Sequence, residues 1–521
     1  MNFSAPSESL ENHFANIPIK EFDSMLRRTS AFRNSGWRFF VNLSSDSTAL
    51  VIEGGEGACF AGLANELPRV STLIPANLPG RWPFPDASFD LVVMRGIGDD
   101  FALPAHFSSL LPQIHRVLRP EGSLYVGGRG IFPLLQAIRL LFSGFGFPEV
   151  FFHGEDQRKI TYEIRPCFKS AEPLEWLKTF FFAFRPDRHF SLLAKKNGTK
   201  KAKSLMDNII NELTEPRDHG ADHNSHSLQL GSFNIYGIHT SGHVVRIPTT
   251  DDGKKHCDSN ERALKDLEGK TCAFQIPRFM QKGIVNGQEY YAESKIPGRP
   301  LNYLELSSAD RQTIYGQIQR HLAQLYRQTS HSFSIDVILF ERLFSGPITT
   351  LANQVTPAAR QALLKMEKLF ENRFLGRSIK LVRTHGDFKA TNFLLGKNRS
   401  VSGIVDWDLS DPAGLPLMDM ILCFGFDRSV DRRIDIYRAI YEIGFEHPSE
   451  FEGKLNAELK TYADSGVGFT VTVFMTFIGY CLNHPSPELM INREWLEGVS
   501  ACVVKASSKF ESWEGGSHER K

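Results

Sequence analysis

The tightest constraint on this chain lies between Thr384 and Trp407. Thr384-His385-Gly386-Asp387-Phe388-Lys389-Ala390-Thr391-Asn392 sets an aspartate and an asparagine five residues apart, and Gly403-Ile404-Val405-Asp406-Trp407 adds a second aspartate. The apolar run Val401 to Val405 reads as a strand, so Asp406 stands at a strand end and the other two side chains on a loop. Few reactions ask for this set. Moving a phosphoryl group from a nucleotide to an alcohol needs one carboxylate to orient and deprotonate the hydroxyl. It also needs an asparagine and a further aspartate to hold magnesium against the phosphates. The plainer alternative is an Asp/Asn-rich turn beside an aspartate that caps a strand. Four matches in order and spacing favour the chemistry.

His385, Asp387, Asn392 and Asp406 fall on the frame H-x-D-x-x-x-x-N, with the metal-binding aspartate a short hairpin later, that kinases use as their catalytic loop. A chain of 521 residues has room for two or three domains around such a loop. Charge is balanced, Lys+Arg 60 against Asp+Glu 59, which removes any bulk electrostatic case for nucleic acid or an anionic membrane. The seven cysteines, Cys59, Cys167, Cys257, Cys272, Cys423, Cys481 and Cys502, are scattered and never form a C-x-x-C pair. Free thiols in a reducing compartment are expected, not a disulfide framework or a zinc site. The N-terminus lacks the basic and apolar regions of a signal peptide. Ile131 to Phe147 and Gly466 to Leu482 are apolar, but both are interrupted and fall short of a span of about 20 residues. Buried helices, no membrane span and a cytoplasmic protein are the expectation.

Before the loop the text has another grammar. Ala49-Leu50-Val51-Ile52-Glu53 is strand-like, Gly54-Gly55-Glu56-Gly57 is a glycine turn, and Ala58 to Leu67 is helical. A strand, a glycine turn and a helix open a Rossmann-type nucleotide site, with Glu53, Gly55 and Gly57 as its candidate cofactor contacts. Pro83 to Val93 (PFPDASFDLVV) then reads as a loop feeding a further strand, and Arg116 to Val126 (RVLRPEGSLYV) as another turn and strand. Over roughly residues 40 to 165 this order resembles class I S-adenosylmethionine-dependent methyltransferases. The family closes its second strand with an acid that binds the ribose. Here Val70-Ser71-Thr72-Leu73-Ile74-Pro75 ends in proline, and the interval from Gly57 to Phe89 is short. The resemblance therefore implies a degenerate, structural domain ahead of an intact S-adenosylmethionine site.

Aromatic residues crowd the next stretch: Phe151, Phe152, Trp176, Phe180, Phe181, Phe182 and Phe184. Core packing is favoured there over an apolar binding surface. Thr214 to Ser227 is polar and aperiodic, and His219, His223 and His226 within it read as solvated linker, not metal ligands.

Leu228 to His239 reads as a hairpin that could lie over phosphates, His243 to Pro248 as a strand carrying Arg246, and Asn260 to Leu267 as a helix with Glu261 at its start. A kinase small lobe holds the α- and β-phosphates with a lysine paired to a helix glutamate. Arg246 and Glu261 stand in those places, with a guanidinium replacing the ammonium. Together "VVRIP", "NERALKDL", "YYAESKIPGRPL", "THGDFKATN", "GIVDWD" and "GLPLMDM" make residues 226 to 510 resemble the aminoglycoside phosphotransferase/choline kinase-like family. That resemblance implies ATP and Mg2+ as cofactors and a small-molecule hydroxyl acceptor. It implies Asp387 as the base, Asn392 and Asp406 as metal ligands, His385 as a brace of the loop and Asp419 as a structural acid. Lys389 stands where protein kinases carry a lysine near the γ-phosphate, with a solvent-facing role equally open. Asp408 reads as a solvated carboxylate ahead of a place in the metal shell. Helices over Arg432 to Ile443, Glu450 to Ala463, Val467 to Leu482 and Glu494 to Phe510 are expected to build the acceptor site, with Asp435, Glu442 and Trp495 as candidates for a cationic substrate.

The expected architecture is α/β plus α+β. Residues 1–190 form a methyltransferase-like Rossmann domain, 191–226 a linker, 227–305 a kinase-like small lobe and 306–521 a large lobe with a helical acceptor region. The leading function is an ATP- and magnesium-dependent small-molecule kinase acting on a sugar, an amino alcohol or a related metabolite. The alternatives are a bifunctional methyltransferase-kinase and a nucleotide-binding scaffold without catalysis.

Overall fold

The computed structural model describes residues 41, 43, 46–53, 67, 69–73, 81–95, 103–129, 145, 149–156, 159–165, 189–196, 205–213, 227–230, 235–240, 242–270, 274–302, 306–396, 400–463, 466–483 and 493–515. The chain divides into two compact units. One is Pro18–Cys257 with Phe279–Lys295; the other is mainly Asp258–Arg278 and Ile296–Lys521.

The first unit is built on one sheet. Its strands are β1 (Thr48–Glu53), β2 (Arg69–Leu73), β3 (Phe89–Arg95), β4 (Leu118–Arg129), β5 (Glu149–Asp156), β6 (Lys159–Arg165), β7 (His189–Lys195), β8 (Ser227–Leu230), β9 (Ile235–His239), β10 (His243–Pro248), β11 (Phe279–Val285) and β12 (Gln288–Ser294). They run in the order β11-β12-β10-β9-β8-β6-β5-β7-β4-β3-β1-β2. The β2-β1-β3-β4 end is parallel, and every pairing from β4 to β11 is antiparallel. The parallel part explains the unbroken apolar text of β1: Ala49, Leu50, Val51 and Ile52 are all buried, as a strand covered on both faces requires. Helix α1 (Leu103–Val117) supplies one cover. Its Leu110, Leu111, Ile114 and Val117 follow helical spacing and join Leu50, Ile52, Val92 and Leu124 in one core cluster.

The expected linker is in part structured. β7 pairs with both β4 and β5, and Leu205–Leu213 forms helix α2. Met206, Ile209 and Ile210 of α2 lie in a single apolar cluster with Val51, Leu91 and Val93 from the parallel end and with Ile238, Val245, Ile247, Val285 and Tyr290 from the antiparallel end. The strands expected to form a separate small lobe thus share a sheet and a core with the N-terminal strands. Tyr290 adds a polar tie. Its hydroxyl donates to Glu212 Oε2 of α2 at 2.7 Å and accepts from Gln281 Nε2 at 2.6 Å. Burial pushes the phenol up to about 12. Gly283 opposite leaves room for the ring, since a Cβ there would sit 2.6 Å from it.

Helix α3 (Asp251–Leu267) begins nine residues before Asn260, where the sequence suggested its start. The signal is Thr250-Asp251-Asp252: the Thr250 hydroxyl accepts from the Gly253 N–H at 3.0 Å, and two acids occupy the first turn. Gly253 obscures it.

The second unit is helical around two three-stranded sheets. Helix α4 (Ser308–Thr329) starts at Ser307, whose hydroxyl caps the Asp310 N–H. The strands are β13 (Arg299–Pro300), β14 (His331–Ser334), β15 (Ser378–Thr384), β16 (Phe393–Leu395), β17 (Val401–Ile404) and β18 (Asp411–Gly414), ordered β13-β16-β17 and β14-β15-β18. Around them pack α5 (Pro357–Phe374), α6 (Met418–Arg432), α7 (Ile436–Tyr441), α8 (Phe469–Asn483) and α9 (Arg493–Gly515). The helix expected over Arg432 to Ile443 is broken, because α6 stops at a left-handed Arg433 with φ +54°.

Helix α8 is the apolar run that raised the membrane question. It is buried along most of its length, and its hydroxyls are satisfied internally: Thr472 Oγ1 donates to Gly468 O at 3.1 Å and Thr476 Oγ1 to Thr472 O at 2.7 Å. Phe344, Phe370, Phe374, Phe474 and Phe510 form the aromatic core beside it. Among the described residues no helix is long and apolar enough to cross a membrane.

Candidate active site

Strand β15 delivers the loop. It is buried from Leu381 through Thr384 and hands over to His385, which is fully buried. Gly386 then takes φ +83°, and a Cβ on it would lie 2.1 Å from the Leu409 carbonyl oxygen. Only glycine fits there. The three-residue 3₁₀ turn Ala390–Asn392 brings the chain back into β16, which pairs antiparallel with β17. Asp406 follows in the left-handed region at φ +73°.

His385 joins both halves of the site. Its Nε2 lies 3.0 Å from the Val405 carbonyl, next to Asp406, and its Nδ1 accepts from the Asp387 N–H at 3.3 Å. That pairing requires a neutral ring with the proton on Nε2. Burial lowers the imidazole pKa, which keeps it neutral, although the Asp387 charge pulls the other way. The ring also lies 4.6 Å from that of Trp407.

Asp387 is nine-tenths buried and held on two sides. Lys389 Nζ sits 2.6 Å from its Oδ2. Asn392 Nδ2 donates to that oxygen at 3.1 Å and to the Asp387 carbonyl at 2.8 Å. The ammonium of Lys389 also lies 5.5 Å from the Phe426 ring centroid on α6, so this lysine is turned to Asp387 and not to solvent. Because Asn392 spends its amide N–H groups on Asp387, its oxygen is the atom it has to offer elsewhere. An amide oxygen and the Asp406 carboxylate are hard donors of the kind Mg2+ takes when phosphates complete its shell. The residues present fit that ion. No group of three or more His, Cys, Asp or Glu among the described residues forms a self-sufficient metal cage.

Asp419, in the first turn of α6, supports the loop from below. Its carboxylate accepts from the His385 N–H at 2.9 Å and from the Gly386 N–H at 3.1 Å. Complete burial pushes its acid up to about 7 against the pull of those donors. The left-handed Leu417 just before it donates its N–H to the Tyr326 hydroxyl at 3.2 Å. Asp408, expected in solvent, is buried.

The other candidates are dispersed. Arg246 lies on β10, with Nη2 3.4 Å from Glu293 Oε1 on neighbouring β12. Glu261 lies on α3 and takes Lys265 Nζ at 2.6 Å. Glu53 ends β1; Gly55, Gly57, the Phe180 to Phe184 stretch and His219, His223 and His226 lie outside the described residues. Two of the three acceptor candidates are structural. Glu442 is buried with Arg428 at 2.8 Å, Arg432 at 3.2 Å and Arg438 at 3.7 Å. Trp495 is buried, edge-on to Tyr437. Asp435 is exposed at the start of α7. Sequence reasoning overlooked Asn260 as a contact of the site: its Oδ1 accepts from the Trp407 N–H at 3.1 Å.

Residues 236–452 match a phosphotransferase enzyme family, and residues 63–126 match a methyltransferase domain. Solved structures similar to the chain include an ADP-bound aminoglycoside phosphotransferase, at 14% identity over 53% of this chain and 90% of that one, with a TM-score of 0.33. A GDP complex of an aminoglycoside 2'-phosphotransferase has 14% identity, 54% and 90% coverage and a TM-score of 0.34. A Streptomyces rimosus aminoglycoside phosphotransferase with ADP and streptomycin has 13% identity, 52% and 98% coverage and a TM-score of 0.32. No curated protein matches the chain.

Proposed function

We propose that the kinase-type phosphotransferase domain at residues 236–452 moves the γ-phosphoryl group of ATP, with Mg2+, to a hydroxyl of a sugar, an amino alcohol or a related small metabolite. One observation carries this reading: the Asp387 carboxylate, buried yet held by Lys389 and Asn392 beside a neutral His385. Asp387, held by Lys389 and Asn392, is the carboxylate set to receive an incoming hydroxyl. Asp387 accepts the hydroxyl proton as the hydroxyl oxygen bonds to the γ-phosphorus, and the bond from phosphorus to the ADP oxygen breaks. Lys389 orients the carboxylate. Asn392 and Asp406 would hold Mg2+, which when bound neutralises charge on the phosphates. Arg246 serves the nucleotide from the small-lobe strands, and Glu261 stands on the helix that follows them.

The test is phosphoryl transfer from γ-labelled ATP across a panel of hydroxylated metabolites. Asp387→Asn is expected to cost about 10²–10⁴-fold in kcat. Equal turnover by wild type and variant would sink the assignment.

A second reading, that the N-terminal region also binds S-adenosylmethionine, is favoured by the match over residues 63–126 and by the strand order β2-β1-β3-β4. That order places a reversal of direction at β1/β3, where doubly wound sheets bind ligands. Calorimetric titration with S-adenosylmethionine decides it; no heat at millimolar cofactor rejects it.

A further inference from the structure

We propose that helix α3 sets the direction of the metal-binding carboxylate through a single side chain, making Asn260 a positioning residue for Asp406. The proposal rests on the reading of Asp406 as a magnesium ligand and adds to it a residue that touches neither metal nor substrate.

The backbone around Asp406 is pinned on both sides. Ile404 N–H donates to the Gln275 carbonyl at 3.0 Å, Val405 N–H donates to the Asn392 carbonyl at 3.0 Å, and the Val405 carbonyl faces His385 Nε2 at 3.0 Å. Beyond Asp406, the Trp407 indole N–H donates to the Ile404 carbonyl at 3.0 Å, and its backbone N–H donates to Asn260 Oδ1 at 3.1 Å. Trp407 is fully buried and Asn260 is 4% exposed. Asp406 itself sits at φ +73°, a conformation that glycine adopts freely and an aspartate less readily.

The hydrogen bond from Trp407 N–H is what fixes the far side. That N–H belongs to the peptide plane joining Asp406 to Trp407, so its direction sets ψ of Asp406. Asn260 therefore acts directly on that backbone torsion. Without the acceptor, a buried N–H loses its partner and the plane can turn to relieve the left-handed strain, carrying the carboxylate with it. An aliphatic residue of the same volume would fill the space and still fail.

The same helix carries a natural control. Asp266 Oδ2 accepts from Arg383 Nη2 at 2.8 Å, which ties α3 to β15 through a different side chain. Losing that pair loosens the helix but leaves the Trp407 N–H satisfied.

The experiment is calorimetric titration of Mg2+ into the ADP complex of the full chain, with far-ultraviolet circular dichroism to confirm folding. Asn260→Ala and Asn260→Leu are expected to weaken Mg2+ about 10- to 100-fold, the usual cost of removing a group that orients a ligand. Leucine keeps the γ-branched shape and leaves no cavity, so it reports even if the alanine cavity unfolds the protein. Asn260→Asp retains an acceptor oxygen and should keep the affinity, while Asp266→Asn should lower the melting temperature and leave Mg2+ binding alone. Wild-type affinity in the folded leucine variant overturns the proposal, as does an aspartate variant as weak as alanine. No Mg2+ uptake by the wild-type ADP complex would instead remove Asp406 from the metal site, and this proposal with it.

Discussion

The two units are held by different physics. In the first, α2 and the strands on either side of it meet through Val51, Ile209, Val245 and Ile247, side chains that need only fit by volume. In the second, His385, Asp387, Asn392, Trp407 and Asp419 are held through directional hydrogen bonds. Apolar contacts are non-directional, so loss of one methyl group is shared among neighbours. A buried hydrogen bond has no substitute, so its loss falls on one group. The loop from His385 to Asn392 is therefore specified atom by atom, and the sheet that spans the first unit only by pattern.

Substitutions can break that contrast or sharpen it. The largest effect belongs to Gly386→Ala, which forces a Cβ onto the Leu409 carbonyl and an alanine into positive φ. A loss of about 4 kcal/mol or more is expected in denaturant unfolding, together with loss of phosphoryl transfer. Ile209→Ala should cost about 2–4 kcal/mol. If α2 truly joins the two ends of the sheet, that loss lowers one cooperative transition for the whole first unit; two separate transitions would refute a shared core.

Asp419 supplies a pH test with a defined sign. Its acid is raised from 3.8 to about 7, so between those values the folded chain holds a proton that the unfolded chain has released. That contribution is complete below about pH 4 and is lost as pH rises through 7, at about 1.4 kcal/mol per unit in mid-window. Melting temperatures from pH 5 to 7 should fall for wild type relative to Asp419→Asn; parallel profiles would show an ordinary acid. The smallest effect is Tyr290→Phe. Removing a hydroxyl shared by Glu212 and Gln281 should cost about 1–2 kcal/mol in unfolding experiments, with the apolar contacts intact.

The loop was readable because its chemistry is local: Asp387 and Asn392 are five residues apart and Asp406 follows one hairpin later. What supports the loop was less so. Asn260 lies 147 residues from Trp407, and nothing in a lone asparagine announces a partner so distant. The strands β1, β3 and β10 could be read from their apolar runs, but not their membership of one sheet, because β8 pairs with β6 across a stretch with no pattern of its own. β7 was lost in that stretch because its His189 and Lys195 ends look like linker, although Leu193 and Ala194 at its centre are buried. Glu442 looked free for a cationic substrate because its three arginines come from α6 and α7, and only the broken helix brings them round it.

The continuous sheet bears on how the chain can be divided. The match to phosphotransferases begins at residue 236, one residue into β9, whose far neighbour β8 belongs to residues outside the match. A fragment cut there would carry a raw strand edge of unpaired N–H and C=O groups, with Ile238 stripped of α2. Such an edge recruits other chains. The kinase half of this protein, isolated at the boundary where that match begins, should aggregate, and one that keeps the whole sheet from β1 onward should not.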